Sequence, residues 1–158
     1  MDLNLSSRIP DGATVLVDSC PIIYVLEGSA LAAPFDAVFA DIDAGRIRGL
    51  VTPISLAEVV SGPISAGKDA LAERYRQTLT ASAGWGLREI DADVAMLAAR
   101  LRLRHRLRLP DALQLAVAVH EGCHALLTHD RDFAGVTDIL VLGAETRGKR
   151  RRRPRPPG

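Results

Sequence analysis

Thr14-Val15-Leu16-Val17-Asp18-Ser19-Cys20-Pro21 is the stretch that decides the fold. Residues 13–17 form a short, largely β-branched run that ends on an acid, and Pro21-Ile22-Ile23-Tyr24-Val25-Leu26 follows at once. A run of that kind predicts a buried central strand, and the proline opens a helix over 21–26. The pattern then repeats along the chain. Pro34 opens a second helix with Phe35, Val38, Phe39 and Ile42 on one face, closing near Gly45. Residues 47–52 read as the second strand, and 53–60 as a short helix ended by Gly62-Pro63. A helix over 68–81 presents Leu71, Tyr75 and Leu79; Gly84-Trp85-Gly86 breaks it, and 87–90 reads as an edge strand. Asp91 can cap a helix from 92 to about 103, with Val94, Leu97, Ala98 and Leu101 on its apolar face. Another helix starts at Asp111, runs through Val119 and stops at Gly122. Residues 125–128 and 139–142 supply the last strands. Strands that alternate with helices predict an α/β fold with a largely parallel sheet and helices on both faces.

Composition sets the outer limits. The chain has 158 residues, 47% of them hydrophobic, which suits one domain with a single core. No apolar stretch approaches the ~20 residues that span a bilayer, and Met1-Asp2-Leu3-Asn4 lacks the basic and apolar regions of a secretory signal. Cys20 and Cys123 make no disulfide framework, so a reduced, cytoplasmic protein is expected. The net charge of +1 hides an asymmetry. Seven of the 20 basic residues lie between Arg147 and Arg155, leaving 13 in residues 1–146 against all 19 acids, a net of −6 there. The expected organisation is a lead-in over 1–12, a domain over 13–143 and a basic, Pro-rich disordered tail over 144–158. The acidic body suits cation binding, and the tail could attract a polyanion.

Four acids stand where an apolar run ends or a helix begins: Asp18, Glu58, Asp111 and Asp130. A parallel sheet collects such places in a crevice at the carboxyl ends of its strands. Carboxylates crowded there repel one another unless a hard divalent cation, Mg²⁺ or Mn²⁺, joins them through oxygen ligands. Singly, each acid has an ordinary reading as a turn residue, a solvated helix residue or a helix cap. Together, at equivalent places, they predict a metal-dependent site.

The ordered set Val15-Leu16-Val17-Asp18-Ser19, Pro21-Ile22-Ile23-Tyr24, Ser55-Leu56-Ala57-Glu58, Leu109-Pro110-Asp111-Ala112-Leu113-Gln114-Leu115-Ala116 and Thr128-His129-Asp130-Arg131-Asp132-Phe133 resembles the PIN-domain ribonucleases, and among them the VapC-type toxins. The resemblance covers about residues 13–142. It implies a three-layer α/β/α sandwich with a mainly parallel central sheet, and a Mg²⁺- or Mn²⁺-dependent endoribonuclease. Such a protein is expected to be a homodimer held inactive by a cognate antitoxin. It assigns Asp18, Glu58, Asp111 and Asp130 to the acidic positions, with Asp132 replacing or assisting Asp130. Asp18 and Asp111 are the expected direct metal contacts. Ser19 and Thr128 match hydroxyls near such sites and are expected to meet substrate. Cys20 departs from the commoner Asn or Ser.

Arg104, Arg106 and Arg108 belong to a run in which arginine alternates with Leu101, Leu103, His105, Leu107 and Leu109 up to Asp111. They could hold substrate phosphates, or they could form a solvated helix end whose stems cover apolar surface. His120 and His124 lack a third zinc ligand at recognisable spacing, and no Cys–His pair is arranged for nucleophilic chemistry. Trp85 reads as a core or interface anchor. Two other classes compete: a catalytically inactive PIN-like module that binds RNA or protein, and a different Mg²⁺-dependent α/β phosphohydrolase. All four acids being present argues against the first. Against the second, the Asp-x-Asp that a haloacid-dehalogenase-type phosphatase needs is absent, because Cys20 stands two places after Asp18.

Overall fold

The computed structural model describes residues 4–144. The basic tail expected from 144 onward lies outside these residues except for Ala144, which is buried. Five strands form one sheet: β1 (Thr14–Val17), β2 (Arg48–Val51), β3 (Trp85–Leu87), β4 (Ala125–Leu127) and β5 (Leu140–Leu142). Their order is β3-β2-β1-β4-β5 and every pairing is parallel. The helices are α1 (Ser19–Leu26), α2 (Asp36–Asp43), α3 (Pro53–Ser65), α4 (Asp69–Ala81), α5 (Ala92–His105) and α6 (Leu109–His120). The expected α/β architecture with helices on both faces is what forms.

Period-2 alternation along the strands divides the interior into two layers. Val15, Val17, Ala125 and Leu127 face one side, where Phe35, Val38, Phe39 and Ile42 of the α2 region meet Leu79 and Trp85. Leu16, Leu50 and Leu126 face the other, against Val94, Ala98 and Leu101 of α5 and Leu115 of α6. The segment before β1 also enters the core. A short 3₁₀ turn, Leu5–Arg8, buries Leu5, and Ile9 follows it into the first layer. Arg46 clamps this segment by donating to Ile9 O and to Ser6 O.

The strand order reverses at β1, with β2 and β3 on one side and β4 and β5 on the other. Open α/β sheets bind ligands at such a switch point, beyond the carboxyl ends of the strands. Asp18 stands there, the first residue after β1, with its N–H donating to Leu127 O at 2.9 Å.

Helix α2 starts at Asp36 rather than Pro34 and α6 at Leu109 rather than Asp111, and three further boundaries differ from the sequence reading. The break expected at Gly84-Trp85-Gly86 is largely strand β3 itself, and 88–90 lies outside it. The reason is packing: Trp85 lies across Gly49 of β2, where a Cβ would come within 2.8 Å of the indole ring, and Phe39 meets that ring at 5.4 Å. A glycine in a strand often marks such a close approach. Helix α3 continues through Gly62-Pro63 to Ser65 instead of stopping at 60. Proline costs one backbone hydrogen bond, but Ala66 N–H still bonds Gly62 O, and α4 packs along the helix. Helix α1 starts at Ser19, with Asp18 as its N-cap, so Pro21 lies inside its first turn.

Gly49→Ala should therefore destabilise the protein by about 1–3 kcal/mol, because the buried indole must move or the sheet must open. Urea denaturation checks this; a midpoint equal to that of the parent protein would show that the Trp85–Gly49 contact is not tight.

Candidate metal centre

Asp18 is 8% exposed and accepts from three neighbours. Its Oδ1 takes the Ser19 N–H at 2.9 Å and Gln114 Nε2–H at 3.1 Å; its Oδ2 takes the Thr128 hydroxyl at 2.8 Å. The Thr128 oxygen in turn accepts the N–H of Asp130 at 3.0 Å, and Asp130 Oδ1 accepts the N–H of Asp132 at 2.9 Å. The second acid-bearing loop is thus tied to the first through one threonine. Glu58 is exposed on α3, where the Ser19 hydroxyl donates to its Oε2 at 2.8 Å.

Asp111 lies in the first turn of α6 behind Pro110, where an acid is favoured by the helix dipole. Asp111, Asp130 and Asp132 each offer a carboxylate oxygen, and these oxygens lie within 4.8 Å of one another. Asp18 and Glu58 lie outside that trio. Asp18 is nonetheless near enough for its charge to act on Asp111. Burial, the charges of Asp130 and Asp18 and that of Asp132 push the Asp111 carboxyl up to about 6, against the opposing pull of Arg108. This all-oxygen, all-acidic donor set fits a hard divalent cation. Among the described residues no histidine or cysteine joins it.

The other expected contacts are placed differently. The hydroxyls of Ser19 and Thr128, expected to meet substrate, are buried and spent on Glu58 and Asp18. The arginine run is cut by a turn. Helix α5 ends at His105, and Arg106 adopts a left-handed conformation (φ 54°) as its cap. Arg104 and His105 both bind Asp138, which holds that carboxyl below its usual range. Arg108 alone of the three reaches the acids, 3.7 Å from Asp132, with its side chain 75% exposed. Cys123 is buried and its thiol is pushed up to about 11, mainly by desolvation, so it is inert at neutral pH. His124 Nε2 lies 3.1 Å from Arg8 O.

Two features went unread in the sequence. Gln114 sits 2% exposed on α6 and joins Thr52, Ser55 and Asp18. Its only signal was a lone amide in the apolar run Ala112-Leu113-Gln114-Leu115-Ala116. Tyr24 of α1 bonds His129 Nδ1 at 3.0 Å, and Phe35 packs edge-on against the same imidazole. Nothing local in the sequence couples these three rings.

The raised Asp111 pKa gives a signed prediction for metal-free protein. The folded state holds this proton more tightly than the unfolded chain, so its stability declines as pH rises from about 4 through 6. At pH 7.5 the penalty is about 1–2 kcal/mol after solvent screening. Asp111→Asn should remove it and raise Tm by a few degrees at pH 7.5, with no gain at pH 4. Thermal melts in chelator decide the matter; an equal gain at both pH values would defeat the electrostatic account.

Comparison with known proteins places this geometry in a family. The PIN domain model matches residues 15–139. A toxin–antitoxin complex from Klebsiella pneumoniae superposes with a TM-score of 0.63 at 25% identity, covering 80% of this chain and 95% of that one. FitAcB from Neisseria gonorrhoeae gives 0.65 at 22% identity, with coverage of 81% and 96%. Mycobacterium tuberculosis VapC20, a toxin that cleaves the sarcin-ricin loop, gives 0.62 at 18% identity, with coverage of 80% and 98%. No curated protein matches by sequence. With Asp111, Asp130 and Asp132 clustered near Asp18 in an all-parallel α/β fold, and a family model that matches residues 15–139, the chain belongs to the PIN domain family.

Proposed function

We propose that this chain is a divalent-metal-dependent endoribonuclease, the toxin of a toxin–antitoxin pair, silenced by a cognate antitoxin and active as a homodimer. The observation that carries the reading is the convergence of Asp111, Asp130 and Asp132 beside Asp18, within a chain of the PIN domain family. The antitoxin partner is supported by likeness to a toxin that sits in a toxin–antitoxin complex.

Asp18 and Asp111 would hold the ion directly, with Asp130, Asp132 and Glu58 supporting it through water or at a second ion. When bound, Mg²⁺ or Mn²⁺ offsets charge developing on the phosphodiester and acidifies water. The protein's own part is to fix the carboxylates in a half-buried crevice and to take up the proton lost when water attacks phosphorus. Arg108, exposed at the rim, exchanges Asp132 for an RNA phosphate, as a guanidinium suits phosphate geometry. No helix among the described residues is long and apolar enough to cross a membrane.

Asp111→Asn and Asp130→Asn should each lower RNA cleavage by at least about a hundredfold while circular dichroism stays that of the parent protein. Expression of either variant without an antitoxin should no longer arrest growth. The decisive measurement maps RNA ends after brief induction of the parent chain. Discrete new ends that vanish in Asp111→Asn are expected; unchanged cleavage by both variants sinks the site.

Arg108→Ala should raise KM for RNA several-fold with a smaller change in kcat, and the effect should shrink as salt increases. Steady-state kinetics at two ionic strengths checks it; a salt-independent loss confined to kcat would contradict a phosphate contact.

A further inference from the structure

We propose that Gln114 is a positioning residue of the metal centre: it locks the Asp18 carboxylate at a fixed place relative to Asp111 and to the helix that carries Glu58. This rests on the metal-dependent reading above.

The side chain uses its hydrogen-bonding capacity in three directions at once. One Nε2 proton goes to Asp18 Oδ1 at 3.1 Å, and the other goes to the Ser55 hydroxyl. Its Oε1 accepts the Thr52 hydroxyl at 2.5 Å. These partners settle which end of the amide is nitrogen, because a carboxylate offers no proton and only Nε2–H can meet it. Thr52 is itself the N-cap of α3, and its oxygen accepts Ser55 N–H at 3.3 Å. Gln114 therefore joins three elements at one buried point: the end of β1, the start of α3 and the first turns of α6.

The geometry along α6 gives this junction its meaning. Asp111 and Gln114 are three residues apart and share a helix face. An amide fixed to Asp18 therefore sets the distance from Asp18 to Asp111 through one rigid turn. On the other side, Glu58 lies three residues beyond Ser55 on α3, so anchoring Ser55 sets the position from which Glu58 projects. Ser19 completes the frame, since its N–H meets Asp18 and its hydroxyl meets Glu58.

Energetics favour this over incidental core polarity. A buried primary amide costs free energy unless its donors and acceptor are all satisfied. The positions around it on α6, Ala112, Leu115, Ala116, Val117 and Ala118, are all buried and apolar. A leucine there would pack without that demand. What an amide adds and a leucine lacks is a directed N–H to Asp18. Partners that orient metal-binding carboxylates typically change metal affinity 10–100-fold when removed.

The test measures Mn²⁺ binding by electron paramagnetic resonance on the full chain, separately from cleavage. Gln114→Met keeps the length of the side chain and deletes its donors; it should weaken Mn²⁺ binding about tenfold or more and lower the apparent kcat at limiting metal, with KM for RNA nearly unchanged. Because Gln114→Met strands the Thr52 and Ser55 hydroxyls and could unfold, a triple variant (Thr52→Val, Ser55→Ala, Gln114→Met) replaces the whole network by apolar groups. It should fold and show the same loss. Thr52→Val alone should lower Tm while changing the Mn²⁺ dissociation constant less than about threefold. A readout on the unaltered chain needs no variant: in a Mg²⁺ titration followed by ¹⁵N NMR, the Gln114 side-chain NH₂ signals should shift and saturate. Triple-variant binding within about twofold of the parent chain, or NH₂ signals that ignore saturating Mg²⁺, overturns the role of Gln114 and leaves the metal site standing. Failure of the parent chain to bind Mn²⁺ or Mg²⁺ at all overturns both.

Discussion

Everything at the candidate site hangs on the acceptor capacity of one carboxylate. Asp18 receives an N–H from its own helix, a hydroxyl from the loop after β4 and an amide from α6. Each donor belongs to an element that also carries another acid, or touches it. Ser19 hands on to Glu58, Thr128 hands on to Asp130, and Gln114 lies one turn from Asp111. Residues as distant in sequence as Asp18 and Asp130 are thereby set within a small crevice by single-residue links. Buried carboxylates are expensive unless they are hydrogen-bonded, and here the bonds that satisfy one acid also arrange the rest.

That arrangement has an electrostatic cost. Arg108 lies 3.7 Å from Asp132, and with most of its surface in solvent it contributes roughly 0–1 kcal/mol. The elevated Asp111 pKa reflects burial first and then the charges of Asp130 and Asp18. Elsewhere the protein pairs its charges closely: Arg46 with Asp41 and Asp11, Arg88 with Glu121 and Asp91, Arg104 with Asp138. The contrast is chemical. The ion pairs away from the switch point are close, whereas Asp111, Asp130 and Asp132 share a carboxylate cluster that suits the cation proposed above.

The sequence made the sheet legible because most strands are short apolar runs with a clear stop: Asp18 after β1, Thr52 after β2 and Thr128 after β4. It misread Trp85 because two flanking glycines look like a turn, whereas Gly49 and Gly86 are small so that an indole and Arg48 can lie across neighbouring strands. It misread the end of α3 because a local Gly-Pro signal was outweighed by packing against α4, which no local pattern encodes. The acids could be named as candidates because the set recurs where apolar runs end or helices begin, in an order that resembles a known family. Gln114 could not, since an amide in an apolar helix gains meaning only when Thr52, Ser55 and Asp18, some 60 to 96 residues away in the chain, are brought against it.

The arginine run shows how a turn converts composition into function. Read as one helix, alternating arginines scatter around the axis and address no single partner. The left-handed Arg106 ends α5, and the chain reverses through Leu107, whose side chain is buried, into α6. Arg104 is left behind on α5 with Asp138, while Arg108 is carried forward to the N-terminus of α6, beside Asp111 and Asp132. A non-glycine residue in that conformation costs about 1 kcal/mol. The cost is offset by what the reversal achieves, since it delivers one exposed guanidinium to the rim of the acidic crevice without burying it. Under the proposed function, a phosphate entering there would meet a cation whose existing ion pair is weak enough to exchange, and it would be guided toward the carboxylates rather than repelled at the edge.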